Sequence, residues 1–495
     1  NATLTVSTTD AKFAGKTVNA YKMFSATVSG DGKAVSYTLT DEWKPFFKNS
    51  VGLTGVTDEN VNDKANDYVS KLKDSTLVAF ATKASNWAQT KANNITADAT
   101  ATVSADASNG KYTATFTGLG YGYYVVAVPG ATLANAKSQY ATLVSVHSTK
   151  VDADIKGDLP TVDKKVQVDG TGKDATDAKI GDTLTFTLTS TIPDMSAYDT
   201  YTFNFKDTLS KGLTFGQVKS VKVENVTLTE NTDYTVTTPT ASNNNTLTVA
   251  MKDFKTKQQA NAGKKITVTY TATLNENAVV GGAGNVNSAK IQYSNNPSTN
   301  GTGESEPSKV RVFTYGFTVD KYTGDQYTDA ATRLAGAEFT LAHKDGSAIS
   351  FVQVSAGSAT ANAVYRVAKA GETGTTTITT PANGKVVFEG LKNGEYTLTE
   401  TKAPAGYNKL ASAIGVKVNG QNNGTDTTNA TVTITYNNDN GNDYNQTASN
   451  GVIPVQNKSG AILPGTGGMG TIAFTVIGVL VIALGVAWTL KRKNA

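Results

Sequence analysis

The chain has 495 residues, and at the usual size of domains this length predicts about three of them. Its 45 lysines and arginines nearly balance its 41 aspartates and glutamates, so no basic surface of the kind that binds nucleic acid is expected. Cysteine is absent, which excludes disulfides, thiolate nucleophiles and soft-metal sites. Only two histidines occur, His147 and His343, far apart in sequence. We therefore expect no metal site, no imidazole catalysis and no cofactor.

The residue types favour an all-β protein. Thr, Val and Tyr are abundant and favour strands, while the 45 glycines and the many asparagines favour turns. The chain opens on NATLTVSTT, without the charged and apolar segments of a secretion signal. Because an apolar run of membrane length lies near the C-terminus, we expect that such a signal has been removed from this numbering.

Residues 1–158 are predicted to form a β-rich first domain with a helical insertion. ATLTVS, KAVSYTLT, KYTATFTGL and GYYVVAVPG are strand-like pieces. Between them, residues 57–94 carry apolar side chains at helical spacing, which predicts one or two helices. These apolar residues include Val61, Ala65, Tyr68, Val69 and Leu72. The segment DADIKGDLP is typical of a linker, which Pro160 ends.

Two further domains of alternating strands follow. Residues 159–314 contain TVDKKVQV, DTLTFTLTS, TYTFNFKD and KKITVTYTATL, separated by Gly, Asn and Pro and without a convincing long helix. Residues 315–462 contain GFTVDKY, AEFTLAHKDG and TVTITY. KVRVFTYGFTVDKY is continuous across the boundary, which indicates that the last strand of one domain runs into the first of the next. We expect tandem Ig-like β-sandwiches.

The C-terminal residues 463–495 combine three features in a fixed order. A run from 471 to 490 has no charged residue, and about 20 apolar residues suffice to cross a bilayer as a helix. The basic tail that follows, KRK at 491–493, is expected to stay on the cytoplasmic side. A short motif precedes the run and consists of Leu463, Pro464, Gly465, Thr466 and Gly467.

This order resembles the LPxTG sorting signal of Gram-positive surface proteins. The resemblance implies that a sortase, a cysteine transpeptidase, cleaves between Thr466 and Gly467 and passes the Thr466 carboxyl to an amine. The proline gives a kinked, extended substrate, and glycine leaves little bulk around the scissile carbonyl. The resemblance to the sorting signal also implies a precursor held in the membrane by its C-terminal helix and a product anchored to peptidoglycan at the cell surface.

The third domain carries a second set of motifs. EYTLTETKAPAGY, residues 395–407, matches every fixed position of the E-box of Gram-positive pilins, YxLxETxAPxGY. GFTVDKY, LAGAEFTL and IPVQNKSG also occur in the order in which that family shows them. The domain resembles the CnaB-type domain of sortase-assembled pilins. The resemblance implies an isopeptide bond between Lys321 and Asn457, formed with the help of Glu400.

Strand alternation supports the role of Lys321 independently. Phe317, Val319 and Lys321 share one face of a strand, which places the lysine in the core. Burial lowers the pKa of a lysine and raises that of a carboxyl, so a protonated Glu400 can polarise the Asn457 amide while a neutral amine attacks it. By analogy with disulfides, such a crosslink would stabilise the domain by roughly 2–5 kcal/mol.

The second domain offers a parallel set of residues. Val162, Lys164 and Val166 share a strand face and Lys165 does not, so the period of two selects Lys164. Asp207 lies in FNFKDTLSKGLTF, which resembles the catalytic-Asp segment of CnaA-like pilin domains. The amide partner is expected in GNVNSAKIQYSNNP: Asn287 is preferred, with Asn285 and Asn295 as alternatives. The first domain has no carboxylate in its counterpart strand, GLGYGYYVVAVPG, and no isopeptide bond is expected there.

The amine that receives Thr466 decides what is made. A peptidoglycan cross-bridge gives a wall-anchored monomer, and a lysine of the next copy gives a pilus. Backbone pilins carry this lysine in a motif such as YPKN near the end of the first domain, and HSTKVDADIKGDLPTVDK contains no YPKN. Lys156, eight residues before Lys164 in a segment bounded by Gly and Pro, is the preferred acceptor, and Lys150 is the second choice.

The resemblance implies the backbone, or major, subunit of a covalent pilus. Pilin-type and housekeeping sortases would join identical copies head to tail, from Thr466 to Lys156, and attach them to peptidoglycan. The alternative is a wall-anchored adhesin or ancillary pilin that binds a host surface ligand, although no large ligand-binding insertion is evident. We expect no enzyme, because no segment presents two carboxylates in the context of a cleft.

Overall fold

The computed structural model describes residues 1–131, 141–297, 299–422, 429–437, 443–463, 477–484 and 486–489. The protein is mostly β, with 45% strand and 14% helix, which confirms the all-β prediction. The strands of the described residues form six sheets, and each successive third of the chain contributes two of them.

The N-terminal part contains a three-stranded and a five-stranded sheet. Its strands are β1 (Ala2–Thr8), β2 (Thr17–Val28), β3 (Val35–Leu39), β4 (Ala99–Thr102), β5 (Tyr112–Leu119), β6 (Gly122–Ala127), β7 (Thr142–Val146) and β8 (Lys150–Asp154). The smaller sheet has the order β5-β1-β8, with β8 parallel to β1. The larger sheet has the order β3-β2-β6-β7, with β4 paired to β2.

Three helices, α1 (Lys44–Asn49), α2 (Val61–Ser70) and α3 (Asp74–Gln89), are inserted between β3 and β4. Their buried faces join side chains of the larger sheet in one aromatic core, in which the Trp43 and Phe46 rings lie 5.3 Å apart and perpendicular. The predicted helical insertion at residues 57–94 is therefore confirmed by α2 and α3, whereas α1 lies before it and was not predicted. Val61 and Ala65 are buried as the helical spacing predicts.

The second part contains the strands β9 to β21 and one short helix, α4 (Phe254–Gln258). Its strands are β9 (Asp163–Val168), β10 (Thr171–Lys173), β11 (Ala175–Asp177), β12 (Thr183–Thr191), β13 (Phe203–Thr208), β14 (Leu213–Val223), β15 (Val226–Thr227), β16 (Tyr234–Thr237), β17 (Thr246–Met251), β18 (Lys265–Leu274), β19 (Asn285–Ser294), β20 (Thr302–Glu304) and β21 (Ser308–Phe313). One sheet has the order β10-β9-β12-β18-β14-β15, and the other has the order β11-β21-β19-β13-β17-β16, with β20 beside β19. Alternation governs the burial: Phe186 and Leu188 of β12 are buried, and Thr187 between them is only partly buried.

The third part contains the strands β22 to β33. These are β22 (Tyr315–Thr323), β23 (Thr332–Arg333), β24 (Glu338–His343), β25 (Phe351–Ser355), β26 (Ala363–Val367), β27 (Ile378–Thr379), β28 (Lys385–Leu391), β29 (Gly394–Lys402), β30 (Ile414–Gln421), β31 (Thr431–Tyr436), β32 (Gln446–Thr447) and β33 (Val452–Gln456). One sheet has the order β23-β22-β28-β26-β25, with β33 parallel to β22, and the other has the order β27-β24-β29-β30-β31-β32. The first and last strands therefore lie side by side.

The second and third parts are in direct contact. Thr314 alone separates β21 from β22, so the chain passes from one sheet into the next almost without a break. The Ile180 backbone N–H donates to the Gly390 carbonyl at 3.0 Å, and the Asn393 N–H donates to Asp177 Oδ2 at 2.7 Å. A Cβ at Gly390, where φ is +83°, would lie 2.7 Å from Ile180 Cδ1. The close approach at this junction therefore requires glycine.

The C-terminal apolar run lies partly outside the described residues. Residues 477–484 and 486–489 are helical. Among the described residues, no helix is long and apolar enough to cross a membrane. The predicted span over 471–490 includes residues outside the described ranges and stays a prediction. Pro464, Gly465, Thr466 and Gly467 of the predicted cleavage motif also lie outside them.

Candidate isopeptide sites

Four polar side chains meet between the two sheets of the second part. Lys164 on β9 and Tyr270 on β18 come from one sheet, and Asp207 on β13 and Asn287 on β19 come from the other. All four are fully buried. Each occupies an inward position of its strand, as Asp207 does after Phe205, so alternation places them in the core.

Hydrogen bonds connect this cluster through one phenol. The Lys164 ammonium is paired with Asp207 Oδ2 and also donates to Tyr270 Oη at 2.8 Å. Tyr270 donates to Asp207 Oδ2 at 2.7 Å, and Asn287 Nδ2 donates to Tyr270 Oη at 2.7 Å. Lys164 Nζ also lies 4.9 Å from the centre of the Phe186 ring. The structure therefore brings together the lysine, the carboxylate and the preferred asparagine.

Burial sets the electrostatics of this cluster. It lowers the pKa of Lys164, against the opposing effect of Asp207, and raises the pKa of Tyr270 well above 10.0. Asp207 Oδ1 and Asn287 Oδ1 have no hydrogen-bond partner among the described residues. Buried acceptors without a donor are costly, so these two oxygens are unusual features of the cluster.

The two alternative asparagines have other surroundings. Asn285 is buried on the same strand face as Asn287, but its side chain is used by backbone groups: Nδ2 donates to the Val279 and Val312 carbonyls, each at 3.1 Å. Asn295 lies beside Gly130 of the N-terminal part, where a Cβ would be 3.0 Å from Asn295 Cα. Among the three, Asn287 is the one whose amide joins the cluster of Lys164.

A second cluster lies in the third part. Lys321 on β22 faces inward together with Phe317 and Val319, and Glu400 lies on β29 of the opposite sheet. Asn457 follows β33, which runs parallel to β22 with Val455 opposite Lys321. Lys321, Glu400 and Asn457 are at most 2% exposed. The predicted set is thus assembled by two neighbouring strands of one sheet and one strand of the other.

The contacts in this cluster are direct. Lys321 Nζ lies 3.1 Å from Glu400 Oε1, without the alignment of a hydrogen bond. Asn457 Nδ2 donates to Glu400 Oε2 at 3.0 Å and to the Asn408 carbonyl at 3.0 Å. Burial lowers the pKa of Lys321 to about 8, although Glu400 opposes the shift. Glu400 Oε1 and Asn457 Oδ1 have no hydrogen-bond partner among the described residues.

The end of the E-box explains part of this geometry. Tyr407 N–H donates to the Pro404 carbonyl at 3.1 Å in a turn that contains Gly406 at φ +89°. The chain then returns to the site, and the Leu410 N–H donates to Glu400 Oε2 at 2.8 Å. The turn is therefore followed by a segment in which Leu410, three residues beyond the motif, supplies a backbone donor to Glu400.

The N-terminal part differs from the other two. Its described residues include no fully buried lysine. Lys22 is partly buried, with Nζ 5.7 Å from the centre of the Tyr124 ring. The expectation that this part forms no isopeptide bond stays a prediction. Its described residues include no buried lysine that could form one.

Lys156 follows β8 on a segment that is held on both sides. Before it, Ile155 N–H donates to a backbone carbonyl of β1 at 2.8 Å, and after it, Asp158 Oδ1 accepts from Lys12 Nζ at 2.6 Å. The Lys156 side chain is 38% exposed, with Nζ 3.6 Å from Asp154 Oδ2. Its amine is therefore accessible and its backbone is tethered.

The second choice of acceptor, Lys150, has a different setting. It is exposed at the start of β8, opposite Thr3 of β1. Leu463, the first residue of the cleavage motif, is 85% exposed.

Several residues of the two clusters were not identified from the sequence. Tyr270 is the main one: it is an inward residue of KKITVTYTATL, which marks it as a core side chain but carries no sign of a polar role. Asn408 and Leu410 act through backbone groups, which side-chain patterns do not report.

Three segments of the chain match family models. Residues 180–297 match the Gram-positive pilin backbone subunit 2, Cna-B-like domain; residues 325–433 match a prealbumin-like fold domain; and residues 455–495 match the LPXTG cell wall anchor motif. One segment of the chain therefore matches a domain of Gram-positive pilin backbones, and the C-terminal segment matches a cell wall anchor motif. The pilin-backbone match covers Asp207, Tyr270 and Asn287. The matched model is a Cna-B-like domain, whereas the sequence motif around Asp207 led us to expect a CnaA-like domain.

Individual relatives are more distant. The chain is 26% identical over 279 residues to the trypsin-resistant surface T6 protein of Streptococcus pyogenes serotype M6, and the match spans 51% of this chain and 44% of that protein. The structure of the T6 backbone pilin of serotype M6 Streptococcus pyogenes has 20% identity and a TM-score of 0.47, over 85% of this chain and 83% of that one. Full-length SpaD, a major pilin of Corynebacterium diphtheriae, has 20% identity and a TM-score of 0.43, over 93% and 98%. These proteins are structural pilin subunits rather than enzymes.

Proposed function

We propose that the chain is the backbone subunit of a covalently polymerised pilus that is anchored to a Gram-positive cell wall. The observation that carries this proposal is the pair of buried lysine–carboxylate–asparagine clusters in successive domains, followed by an LPXTG anchor segment. Lysine is almost never fully buried unless it is paired, and a buried ion pair is a weak source of stability. Two such clusters, each with an amide in contact, are better explained by a reaction that consumes the charges.

In the third domain the reaction would form a bond between Lys321 and Asn457. Glu400 is the carboxylate beside the amine and would take its proton; burial lowers the pKa of Lys321 to about 8, which makes this proton easier to remove than that of an exposed lysine. The protonated carboxyl then donates to the amide oxygen and makes the Asn457 Cγ more electrophilic. Nζ attacks Cγ, and the amine loses a second proton as the new C–N bond forms. Nδ2 takes up that proton and leaves as ammonia. The charged pair disappears, because Glu400 keeps the first proton and ends as a neutral carboxylic acid.

In the second domain Lys164, Asp207 and Asn287 would react in the same way. The product differs mechanically, because Lys164 and Asn287 lie on opposite sheets whereas Lys321 and Asn457 lie on neighbouring strands of one sheet. The bond in the second domain would therefore fasten the two layers of the sandwich to each other. The bond in the third domain would fasten its first strand to its last.

Polymerisation requires an activated carboxyl and an accessible amine. Under this proposal a sortase cleaves after Thr466 and transfers its carboxyl to Lys156 of the next copy. The exposed Leu463 and the exposed, tethered Lys156 are compatible with those roles. The last copy would be passed to a peptidoglycan amine, which agrees with the match of residues 455–495 to a cell wall anchor motif.

Peptide mapping of assembled material by mass spectrometry tests the proposal, because it identifies every Lys–Asn and Lys–Thr crosslink. We expect peptides that join Thr466 to Lys156, Lys164 to Asn287 and Lys321 to Asn457, each intramolecular crosslink lacking the mass of one ammonia. The same full-length chain should form an SDS-resistant ladder with its pilin-type sortase. A wild type without a ladder would exclude the pilus.

Matched variants assign the acceptor and the carboxylates. Lys156→Ala should abolish the ladder and Lys150→Ala should leave it; the reverse result would move the acceptor to Lys150. Asp207→Ala should restore the mass of one ammonia and leave the crosslink of the third domain intact. An unchanged mass would remove Asp207 from the chemistry.

A further inference from the structure

One hydroxyl of the second domain touches every reacting group of its cluster. Tyr270 Oη lies 2.8 Å from Lys164 Nζ, 2.7 Å from Asp207 Oδ2 and 2.7 Å from Asn287 Nδ2. A phenol has one donor and two acceptor positions, and here all three are engaged. Its ring is fully buried and stacks on Phe186, with centroids 5.3 Å apart and planes 19° from parallel. The hydroxyl is therefore held in place by both the ring and its hydrogen bonds.

In the third domain the lysine and the asparagine are connected through the carboxylate alone, without a phenol. There Glu400 Oε2 accepts directly from Asn457 Nδ2 at 3.0 Å. The ring closest to Lys321 Nζ among the described aromatic contacts is Phe339, at 5.7 Å, and it has no hydroxyl. A glutamate thus contacts both the lysine and the asparagine by itself.

The second domain has an aspartate in this role, and aspartate is shorter by one methylene. The hydrogen bond of the Asn287 amide nitrogen goes to Tyr270, and both hydrogen bonds of Asp207 within the described residues use Oδ2, to Lys164 and to Tyr270. The phenol oxygen bridges Asn287 Nδ2 and Asp207 Oδ2. The two domains therefore build the same connection from Glu alone and from Asp together with Tyr.

We infer that Tyr270 is a catalytic residue of the Lys164–Asn287 bond, an inference that rests on the proposed function. The Lys164 ammonium must lose two protons, and Nδ2 must gain one before ammonia can leave. In the first transfer, Tyr270 Oη takes a proton from Nζ while it passes its own proton to Asp207, which keeps it as a neutral carboxylic acid. As the C–N bond forms, Tyr270 Oη takes the second proton from Nζ and delivers its own to Nδ2. The Cγ–Nδ2 bond breaks, ammonia leaves, Tyr270 ends in the state in which it began, and Asp207 ends protonated.

The test follows the rate of crosslinking in the full-length chain after synthesis begins in a cell-free reaction. Samples are quenched in acid and digested, and the Lys164–Asn287 crosslinked peptide is quantified against its uncrosslinked counterparts by mass spectrometry. Tyr270→Phe keeps the stacked ring and removes the hydroxyl. Because positioned proton transfer contributes about 100-fold or more, the crosslink should form about 100-fold more slowly in this variant. The Lys321–Asn457 crosslink of the same molecules should form at the wild-type rate and reports that the chain folds.

Tyr293→Phe is the matched control. Tyr293 is a buried tyrosine on β19 of the same domain, and it is not among the contacts of Lys164, Asp207 or Asn287. Tyr293→Phe also removes one phenol hydroxyl, so a general effect of removing a buried hydroxyl should appear in both variants. A specific role for Tyr270 requires that Tyr293→Phe crosslinks at the wild-type rate.

A second variant tests the reach of the carboxylate and does not depend on Tyr270→Phe alone. Asp207→Glu in the Tyr270→Phe background adds one methylene where one oxygen has been removed, and recreates the combination found in the third domain. It should crosslink at least about tenfold faster than Tyr270→Phe. A purely structural role of the phenol would not be rescued by a longer carboxylate.

The outcomes separate the inference from the function on which it rests. Wild-type chain without any Lys164–Asn287 crosslink would contradict the proposed bond and Tyr270 with it. Wild type that crosslinks, together with Tyr270→Phe that crosslinks equally fast, would overturn the role of Tyr270 alone. Slow crosslinking in Tyr270→Phe without any rescue by Asp207→Glu would overturn the proton path and leave the phenol a packing residue.

Discussion

The crosslink proposed in the third domain makes a quantitative prediction for Asn457→Ala. A bond from Lys321 to Asn457 closes a loop of about 136 residues, and the loop-entropy relation for crosslinks gives about 5 kcal/mol of stabilisation at that length. For a domain of roughly 150 residues, 1 kcal/mol corresponds to about 3 °C in Tm, so the lost crosslink should lower the transition of this domain by about 15 °C. Differential scanning calorimetry of the full-length chain measures the shift.

The substitution also removes contacts that have nothing to do with a bond. Asn457 Nδ2 donates to Glu400 and to the Asn408 carbonyl, and losing these hydrogen bonds should cost about 1–2 kcal/mol. Lys321→Met separates the two contributions, because the methionine has similar length and cannot form the bond. The bond expels Nδ2, so its hydrogen bonds count only in the chain without the crosslink. Asn457→Ala should therefore cost about 5 kcal/mol in the wild type but only about 1–2 kcal/mol in the Lys321→Met background.

The cost of Asn457→Ala in the wild type, compared with its cost in the Lys321→Met background, shows whether the crosslink stabilises the domain. If Asn457→Ala costs the same in both, the crosslink either does not form or does not stabilise the domain. Mass analysis of the same samples distinguishes these cases, since only a formed crosslink removes one ammonia. A large shift in the wild type without any loss of ammonia would refute the reasoning, because stabilisation would then have a source other than the bond.

Two further predictions follow from the geometry. The reactive form of the Lys321–Glu400 pair carries one proton between its two groups, and with the pKa of Lys321 at about 8 the pair loses that proton above this pH. The rate of crosslinking should fall about tenfold per pH unit above about 8. A rate that rises through pH 8 instead would mean that no protonated carboxyl is needed. Gly390→Ala should strain the left-handed backbone by about 1–2 kcal/mol and push on Ile180. Calorimetry should then show the transitions of the second and third domains further apart, and unchanged transitions would contradict a tight junction.

Strand alternation explains why most of the two clusters could be predicted from the sequence. An inward lysine between apolar neighbours is rare enough to mark Lys164 and Lys321, and a period of two distinguishes Lys164 from Lys165 without any structure. The asparagine is harder, because Asn285 and Asn287 share one face of β19. Only the pairing of strands and sheets shows that Asn285 is used by backbone groups while Asn287 faces Lys164.

Other features depend on tertiary contacts that no local pattern contains. Tyr270 occupies a core position that Phe would fill equally well in sequence, and its polar role exists only because β9, β13 and β19 bring their side chains to the same place. The helix α1 was missed for a different reason. KPFFKN is six residues long, too short for helical periodicity to be visible, and it is stabilised by burying Phe46 and Phe47.

The positions of the two proposed crosslinks are consistent with where a pilus would carry load. If copies are joined from Thr466 to Lys156, tension enters a subunit near its C-terminus and leaves through Lys156, so residues 1–155 lie outside the loaded part of the chain. Within the loaded part, a bond from Lys164 to Asn287 diverts the force past residues 165–286, and a bond from Lys321 to Asn457 diverts it past residues 322–456. The stretch between the two bonds contains β21 and β22, which Thr314 alone separates. The two domains under tension are thus the two with buried lysine clusters, and the domain without one is the domain that tension would bypass.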